Sequence, residues 1–356
     1  MGPKKKLLIV DDSAFMRKLI GDFFKDSKTI EVVGIARNGS DAIRKIKTLR
    51  PDVITMDVEM PEMNGIEALK QIMIDSPVPI IMLSSTTQRG TESTLLAMEY
   101  GAVDFVAKPS GTISLDLHKI KEELVEKVEH ASKITVSKLK KVQSPTREKP
   151  HLELTTQPVT HRLSNKKKMI LIGTSTGGPR ALQEVLPNLP KDLKAPVLIV
   201  QHMPPGFTKS LADRLNQLSE IEVKEARQGD IIRDGHAYIA PGGYHMGIKK
   251  VGTVYTIKLD DIEPPRGGHR PSVDVLLENN SNFNDFDKIV IIMTGMGSDG
   301  SKGLKRLVEA GNVVTIAESS NTCIVYGMPK AAIETKLVNK VVDLEGIANT
   351  ITRYLP

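Results

Sequence analysis

Short apolar runs separated by amphipathic stretches fill this chain twice, over residues 5–131 and again over residues 169–356. That alternation constrains the fold more than any other feature. The first set is KLLIV, EVVGIA, PDVITM, VPIIML and DFVA, and the stretch after the last carries Leu117, Ile120, Leu124 and Val128 at helical spacing. A short apolar run followed by a period of three to four reads as a strand and then a helix. Repeated, this predicts a parallel sheet with helices on both faces. The second set is MILIGTS, APVLIVQHM, DKIVIIMTG and NVVTIAES. It is interrupted by GDIIRDGHAYIAPGGYHMGIKKVGTVYTIKLDD, whose glycine turns and β-branched residues predict hairpins. The expected fold class is α/β throughout: a five-stranded parallel N-terminal domain and a doubly wound C-terminal domain with an antiparallel hairpin.

The formal net charge of +6 sits where the alternation lapses. Between Lys133 and Lys168 ten Lys or Arg face two Glu. Residues 1–132 hold eighteen basic and twenty acidic side chains, and residues 169–356 hold twenty-one of each. A polar, proline-containing segment of this kind reads as a flexible basic linker, which sets expected domains at 1–132 and 169–356 around a linker at 133–168. Both folded parts are near neutral, so nucleic acid is not an expected partner. The single cysteine, Cys323, excludes an internal disulfide. No stretch approaches the ~20 apolar residues of a membrane span, and the apolar run before Asp11 is too short for a signal peptide. A soluble, cytoplasmic protein is expected.

Ligands of parallel α/β sheets collect beyond the carboxyl ends of the strands. In the first domain Asp11 and Asp12 end the first strand, Asp57 the third and Ser84 the fourth, while Lys108 follows the fifth. Three carboxylates at one sheet edge repel unless a cation sits among them, and a hard ion such as Mg²⁺ suits them. A lysine and a serine hydroxyl beside them suit a phosphoryl group. The plainer reading is that Asp11 and Asp12 cap the following helix. Together with MDVEMPEMNG and AKPS, these residues resemble the response-regulator receiver domains, whose fold is flavodoxin-like. The resemblance implies that Asp57 accepts a phosphoryl group from a chemotaxis histidine kinase. It implies Mg²⁺ held by Asp12, Asp57 and the backbone carbonyl of Glu59, with Asp11 contributing through water. Ser84 and Lys108 would sense the phosphate, and Lys108–Pro109 stands where the family has a cis peptide. Phe105 stands at the family's aromatic switch position, an ordinary core phenylalanine being the other reading.

In the second domain GTSTGG follows a strand. It lacks the lysine of a phosphate-binding P-loop and the spacing of a dinucleotide loop, and it matches G-x-S-x-G through Gly173, Ser175 and Gly177. Ser175 is either a nucleophile on a tight turn or a helix N-cap. His202 follows the strand VLIVQ, and Asp299 lies in the glycine-rich turn after VIIM. Serine, histidine and aspartate at three strand ends are the parts of a hydrolytic triad, in an order unlike that of the α/β-hydrolases. His269 and Asp274, in GGHRPSVDVL, are rival candidates ranked second because they lie in a loop-to-helix segment.

IGTSTGGPRAL, QHMPPGFT and MTGMGSDG together resemble the chemotaxis-specific protein-glutamate methylesterases. That resemblance implies Ser175 as nucleophile, His202 as general base, Asp299 as its partner, Thr176 beside the nucleophile, and the Met296 N–H at the oxyanion. It implies methyl esters of glutamate on chemoreceptor cytoplasmic helices as substrate, with methanol released. Receptor glutamine deamidation is a second expected activity, no cofactor is expected for the esterase, and action at the membrane would come through the receptors. In the family the unphosphorylated receiver covers the esterase site, and phosphorylation loosens it. A nucleotide-binding output domain is the alternative, because glycine turns at strand ends also bind phosphate.

Overall fold

The computed structural model describes residues 3–108, 115–135 and 166–355. They fall into two compact units, one within Met1–Thr146 and one within Arg147–Pro356.

In the first unit, β1 (Lys5–Val10), β2 (Ile30–Ala36), β3 (Val53–Asp57), β4 (Ile80–Ser84) and β5 (Asp104–Ala107) form one sheet in the order β2-β1-β3-β4-β5. All neighbours are parallel. The central strands β3 and β4 are buried along their whole length, as strands covered on both faces must be. Helices α1 (Ala14–Phe24), α2 (Gly39–Leu49), α3 (Gly65–Asp75), α4 (Gln88–Glu99) and α5 (Leu115–Ala131) connect and follow them. Local chemistry sets their starts. Asn64 and Glu67 form a reciprocal capping box at α3, and Thr87 Oγ1 accepts the Gly90 amide at α4. At α1 the N-cap is Ser13, whose hydroxyl accepts the Met16 amide, so neither Asp11 nor Asp12 is the cap. Pro109 lies outside the described residues, and with it the expected Lys108–Pro109 cis bond. Most of the expected linker also lies outside them, although β6 already begins at Lys167.

The second unit carries a seven-stranded sheet, ordered β14-β13-β12-β6-β7-β9-β8 and parallel throughout. Its strands are β6 (Lys167–Thr174), β7 (Val197–Gln201), β8 (Glu222–Glu225), β9 (His236–Ile239), β12 (Phe286–Ile292), β13 (Val313–Glu318) and β14 (Lys340–Val342). A separate antiparallel hairpin pairs β10 (His245–Val251) with β11 (Val254–Asp260). The expected insertion is therefore only half hairpin. GHAYIA, read from its glycine turns as part of it, is instead a parallel strand of the main sheet, paired between β7 and β8 with Ala237, Tyr238 and Ile239 buried. Edge strands β8 and β14 carry little apolar signal, since EVKE and KVV are half exposed. Helices α6 (Gly178–Val185), α7 (Phe207–Leu218), α8 (Val273–Asn280), α9 (Ser301–Ala310), α10 (Met328–Glu334) and α11 (Leu344–Thr352) cover the sheet.

The chain leaves β6 toward β7 on one side and returns to β12 on the other. The sheet order thus reverses at β6, and the crevice outside that strand's carboxyl end is where a ligand site is expected.

Candidate active site and phosphoacceptor site

Three strand ends converge at that crevice. Ser175 directly follows β6, and its amide donates to the Thr294 carbonyl beyond β12 at 3.0 Å. His202 directly follows β7, and its amide donates to the Thr174 carbonyl at 3.2 Å. Asp299 lies in the turn between β12 and α9.

Local geometry decides how Ser175 is used. The N-cap of α6 is Gly177, at φ +79°, and no side chain caps that helix. The capping role considered for Ser175 is therefore excluded. Gly177 has to be glycine: its backbone is left-handed, and a Cβ there would lie 2.8 Å from Ile324 Cβ. Two of the turn's amides are already bonded within the protein. Ser175 N–H bonds Thr294, and Gly178 N–H bonds the Ser175 carbonyl at 2.7 Å. A phosphate cradle needs those donors free, which argues against the nucleotide-binding alternative.

His202 and Asp299 form a tight pair, with Nε2 2.8 Å from Asp299 Oδ2 and both side chains nearly buried. Nδ1 is buried without a hydrogen-bond partner, which leaves it as the basic nitrogen. Ser175 Oγ is therefore not bonded to it here; such contacts often tighten only when substrate binds. Asp299 is among the most heavily bonded carboxylates described. Besides His202 it accepts from the amides of Val273 (2.7 Å), Asp274 (2.9 Å) and Gly300 (3.0 Å) and from the Ser272 hydroxyl (2.9 Å). Burial raises its pKa, yet His202 and the amide donors outweigh that and hold the carboxyl well below the ordinary 3.8.

The second-ranked candidates lie at the same place in supporting positions. Asp274 accepts the amides of Gly300 (2.9 Å) and Gly303 (2.7 Å), fixing the turn that bears Asp299. His269 stacks on His202, with ring centroids 3.8 Å apart and planes 11° from parallel. Its loop is held by Arg270, which donates to the carbonyls of Asp261 and Glu263. Thr176 is buried, and its carbonyl accepts the Thr294 hydroxyl at 2.9 Å. Met296 follows Gly295, where a Cβ would come within 2.8 Å of Ser175 Cβ, so the Met296 peptide begins one residue from the serine's contact. Gln201, which the sequence did not single out, donates to the carbonyls of Ser175 (3.0 Å) and His202 (3.1 Å). It ties the two turns together.

In the first unit Asp11, Asp12 and Asp57 bring one carboxylate oxygen each within 4.8 Å of one another. Lys108 Nζ bridges Asp57 Oδ2 (2.7 Å) and Asp11 Oδ2 (3.0 Å). Burial pushes the Asp57 carboxyl up to about 6 against the pull of Lys108, with Asp11 pushing it further. Three crowded carboxylates, one of them pushed up by burial and by its acidic neighbour, fit a divalent cation. Glu59 donates its amide to Asp57 Oδ1 at 3.3 Å. Ser84 ends β4 as expected, but its hydroxyl donates to the Gly90 carbonyl at 3.0 Å and so turns toward α4. Phe105 is buried, with the Lys127 ammonium 5.3 Å from its ring.

Residues 170–351 match the family model CheB methylesterase, and residues 7–118 match the response regulator receiver domain. The chain belongs to the CheB methylesterase family. Among relatives of this methylesterase, a protein-glutamate methylesterase/protein-glutamine glutaminase of Halalkalibacterium halodurans is 56% identical over 353 residues, covering 99% of each chain. One of the same name from Bacillus subtilis is 51% identical over 352 residues, covering 98% of this chain and 97% of that one. The crystal structure of the Thermotoga maritima CheB methylesterase catalytic domain is 42% identical, with a TM-score of 0.51. It covers 54% of this chain and 100% of its own. Among the described residues, no helix is long and apolar enough to cross a membrane.

Proposed function

We propose that the chain hydrolyses methyl esters of glutamate on the cytoplasmic helices of chemoreceptors, and deamidates receptor glutamines, under control of phosphorylation at Asp57. The observation that carries the reading is the His202–Asp299 pair at 2.8 Å, beside a serine pinned to the strand that bears the oxyanion loop. Ser175 Oγ attacks the ester carbonyl while His202 Nδ1 takes its proton. The charge on the imidazolium is met by Asp299 through Nε2–H, and the Met296 N–H receives the oxyanion. The tetrahedral intermediate collapses, methanol leaves with the proton from His202, and the glutamyl group stays on Ser175. Water, deprotonated by His202, then releases the glutamate carboxylate. With glutamine the same steps expel ammonia, His202 giving its proton to the amide nitrogen as the C–N bond breaks.

In the first unit Asp12, Asp57 and the Glu59 carbonyl would hold Mg²⁺, with Asp11 bonded through water. The ion would neutralise charge on the incoming phosphoryl group. Lys108 already bonds the Asp57 oxygen, and it can follow the new phosphoryl oxygens. Ser84 would have to turn its hydroxyl away from Gly90 to do the same, and that rotation is the available switch movement.

A differential of only ~1.4 kcal/mol between inhibited and active states gives a tenfold change in rate. A small phosphodonor is expected to raise methanol release from methylated receptor membranes, each tenfold of the rise reporting about 1.4 kcal/mol between the two states. Asp57→Asn should keep the basal rate and lose the response. An unchanged response in that variant would remove Asp57 from the control of the enzyme.

A further inference from the structure

Glu318 ends β13 and is fully buried, although it belongs to no part of the triad. Its Oε2 accepts the Thr294 amide at 2.8 Å, and its Oε1 accepts the Thr322 hydroxyl at 2.9 Å. The β12–β13 ladder has ended at Ile292 and Ala317, so the carboxylate stands where the next backbone acceptor would be.

Thr294 is the junction of the site. Its carbonyl accepts the Ser175 amide at 3.0 Å and the Thr174 hydroxyl at 2.9 Å. Its hydroxyl donates to the Thr176 carbonyl at 2.9 Å and accepts the Val325 amide at 3.0 Å. The next residue, Gly295, lies against Ser175 Cβ and leads into Met296. We propose that Glu318 is a positioning residue for the ester hydrolysis, fixing the Thr294 peptide and, through it, the distance between the Ser175 turn and the Met296 amide. This inference rests on the triad reading given above.

Two alternatives are weaker. A carboxylate serving only its own strand would bond locally, whereas Glu318 reaches the Thr294 amide, whose own carbonyl holds the Ser175 amide. Burial pushes the Glu318 carboxyl up to about 7, with the bonds from Thr294 and Thr322 pulling it down. A role for its charge is also disfavoured, since a negative charge behind the oxyanion loop opposes the charge that develops there. What the site uses is a pair of acceptor positions with a fixed geometry. A glutamine of the same shape retains an acceptor for the Thr294 amide, and the Thr322 hydroxyl can rotate to accept from its amide group.

The test compares kcat and KM for methanol release from methylated receptor membranes by the full chain. The variants are Glu318→Leu, Glu318→Gln and Thr322→Val, with Ser175→Ala alongside. Deleting an oxyanion donor costs about 10²–10³ in kcat, so displacing one should cost about 10- to 100-fold. Glu318→Leu is expected to lose that much in kcat with KM changed less than about twofold. Glu318→Gln should stay within about threefold of the parent, and Thr322→Val, which removes the partner of Glu318 Oε1 together with the acceptor of the Leu344 amide at the start of α11, should fall about three- to tenfold in kcat. If Glu318→Leu does not fold, the other two variants carry the test. The proposal is overturned by parental kcat in Glu318→Leu or Thr322→Val, by a loss confined to KM, or by a Gln variant as impaired as Leu. Activity surviving in Ser175→Ala would instead overturn the triad reading beneath it.

Discussion

Ser175→Ala is expected to abolish methanol release, lowering kcat by about 10⁴-fold or more, with receptor binding retained. The size follows from the role: without Oγ no acyl-enzyme forms, and only the oxyanion amide and substrate binding remain to act on water. Folding should survive, because Ser175 is held by backbone groups that alanine keeps. Its amide bonds Thr294, and its carbonyl accepts Gly178 and Gln201. The hydroxyl caps nothing. Parallel measurements of kcat and thermal midpoint check this. A variant that is stable but retains more than a few per cent of parental kcat contradicts the assignment.

The second large effect is expected for Asp299→Asn. In serine hydrolases of this arrangement the corresponding change costs about 10⁴ in kcat through the wrong imidazole tautomer. Here the cost has a further source. The carboxylate accepts three amides and one hydroxyl as well as His202. An asparagine NH₂ must face at least one of those donors, so its turn cannot keep every bond. The same bonds give the residue a pH signature. The folded carboxyl is held below its ordinary 3.8, so the folded state binds fewer protons than the unfolded state. Its stabilisation is complete above the unfolded value and is lost as pH falls through the folded one. Acid unfolding of Asp299→Asn should therefore lack that component, while both proteins differ by a constant amount at neutral pH. A parental kcat in this variant would separate Asp299 from the reaction.

The sequence carries most of the fold because its signal is periodic. Buried parallel strands such as IVIIM read as unbroken apolar runs, and their carboxyl ends can be found by counting. Ser175, His202, Asp57 and Asp11 were legible for that reason: each sits within one residue of such an end. GHAYIA misled because glycine turns flank it, while its pairing between β7 and β8 is a tertiary fact. His269 ranked low on a rule about strand ends, yet a loop anchored by Arg270 brings its ring onto His202. The contribution of Ser84 is only partly legible, since the position is right and the hydroxyl points to Gly90. Glu318 gave no signal at all. A glutamate ending a strand looks like any exposed acid until Thr294, over 20 residues away in sequence, claims its oxygen.

One measurement tests the central claim most directly: reaction of the full chain with a fluorophosphonate, followed by mass spectrometry of the labelled peptide and residual methanol release. An activated serine hydrolase takes one adduct per chain, and here it should lie on Ser175, with activity falling in proportion to labelling. Full methanol release from enzyme labelled at Ser175, or loss of activity tracking an adduct on another residue, would contradict the account.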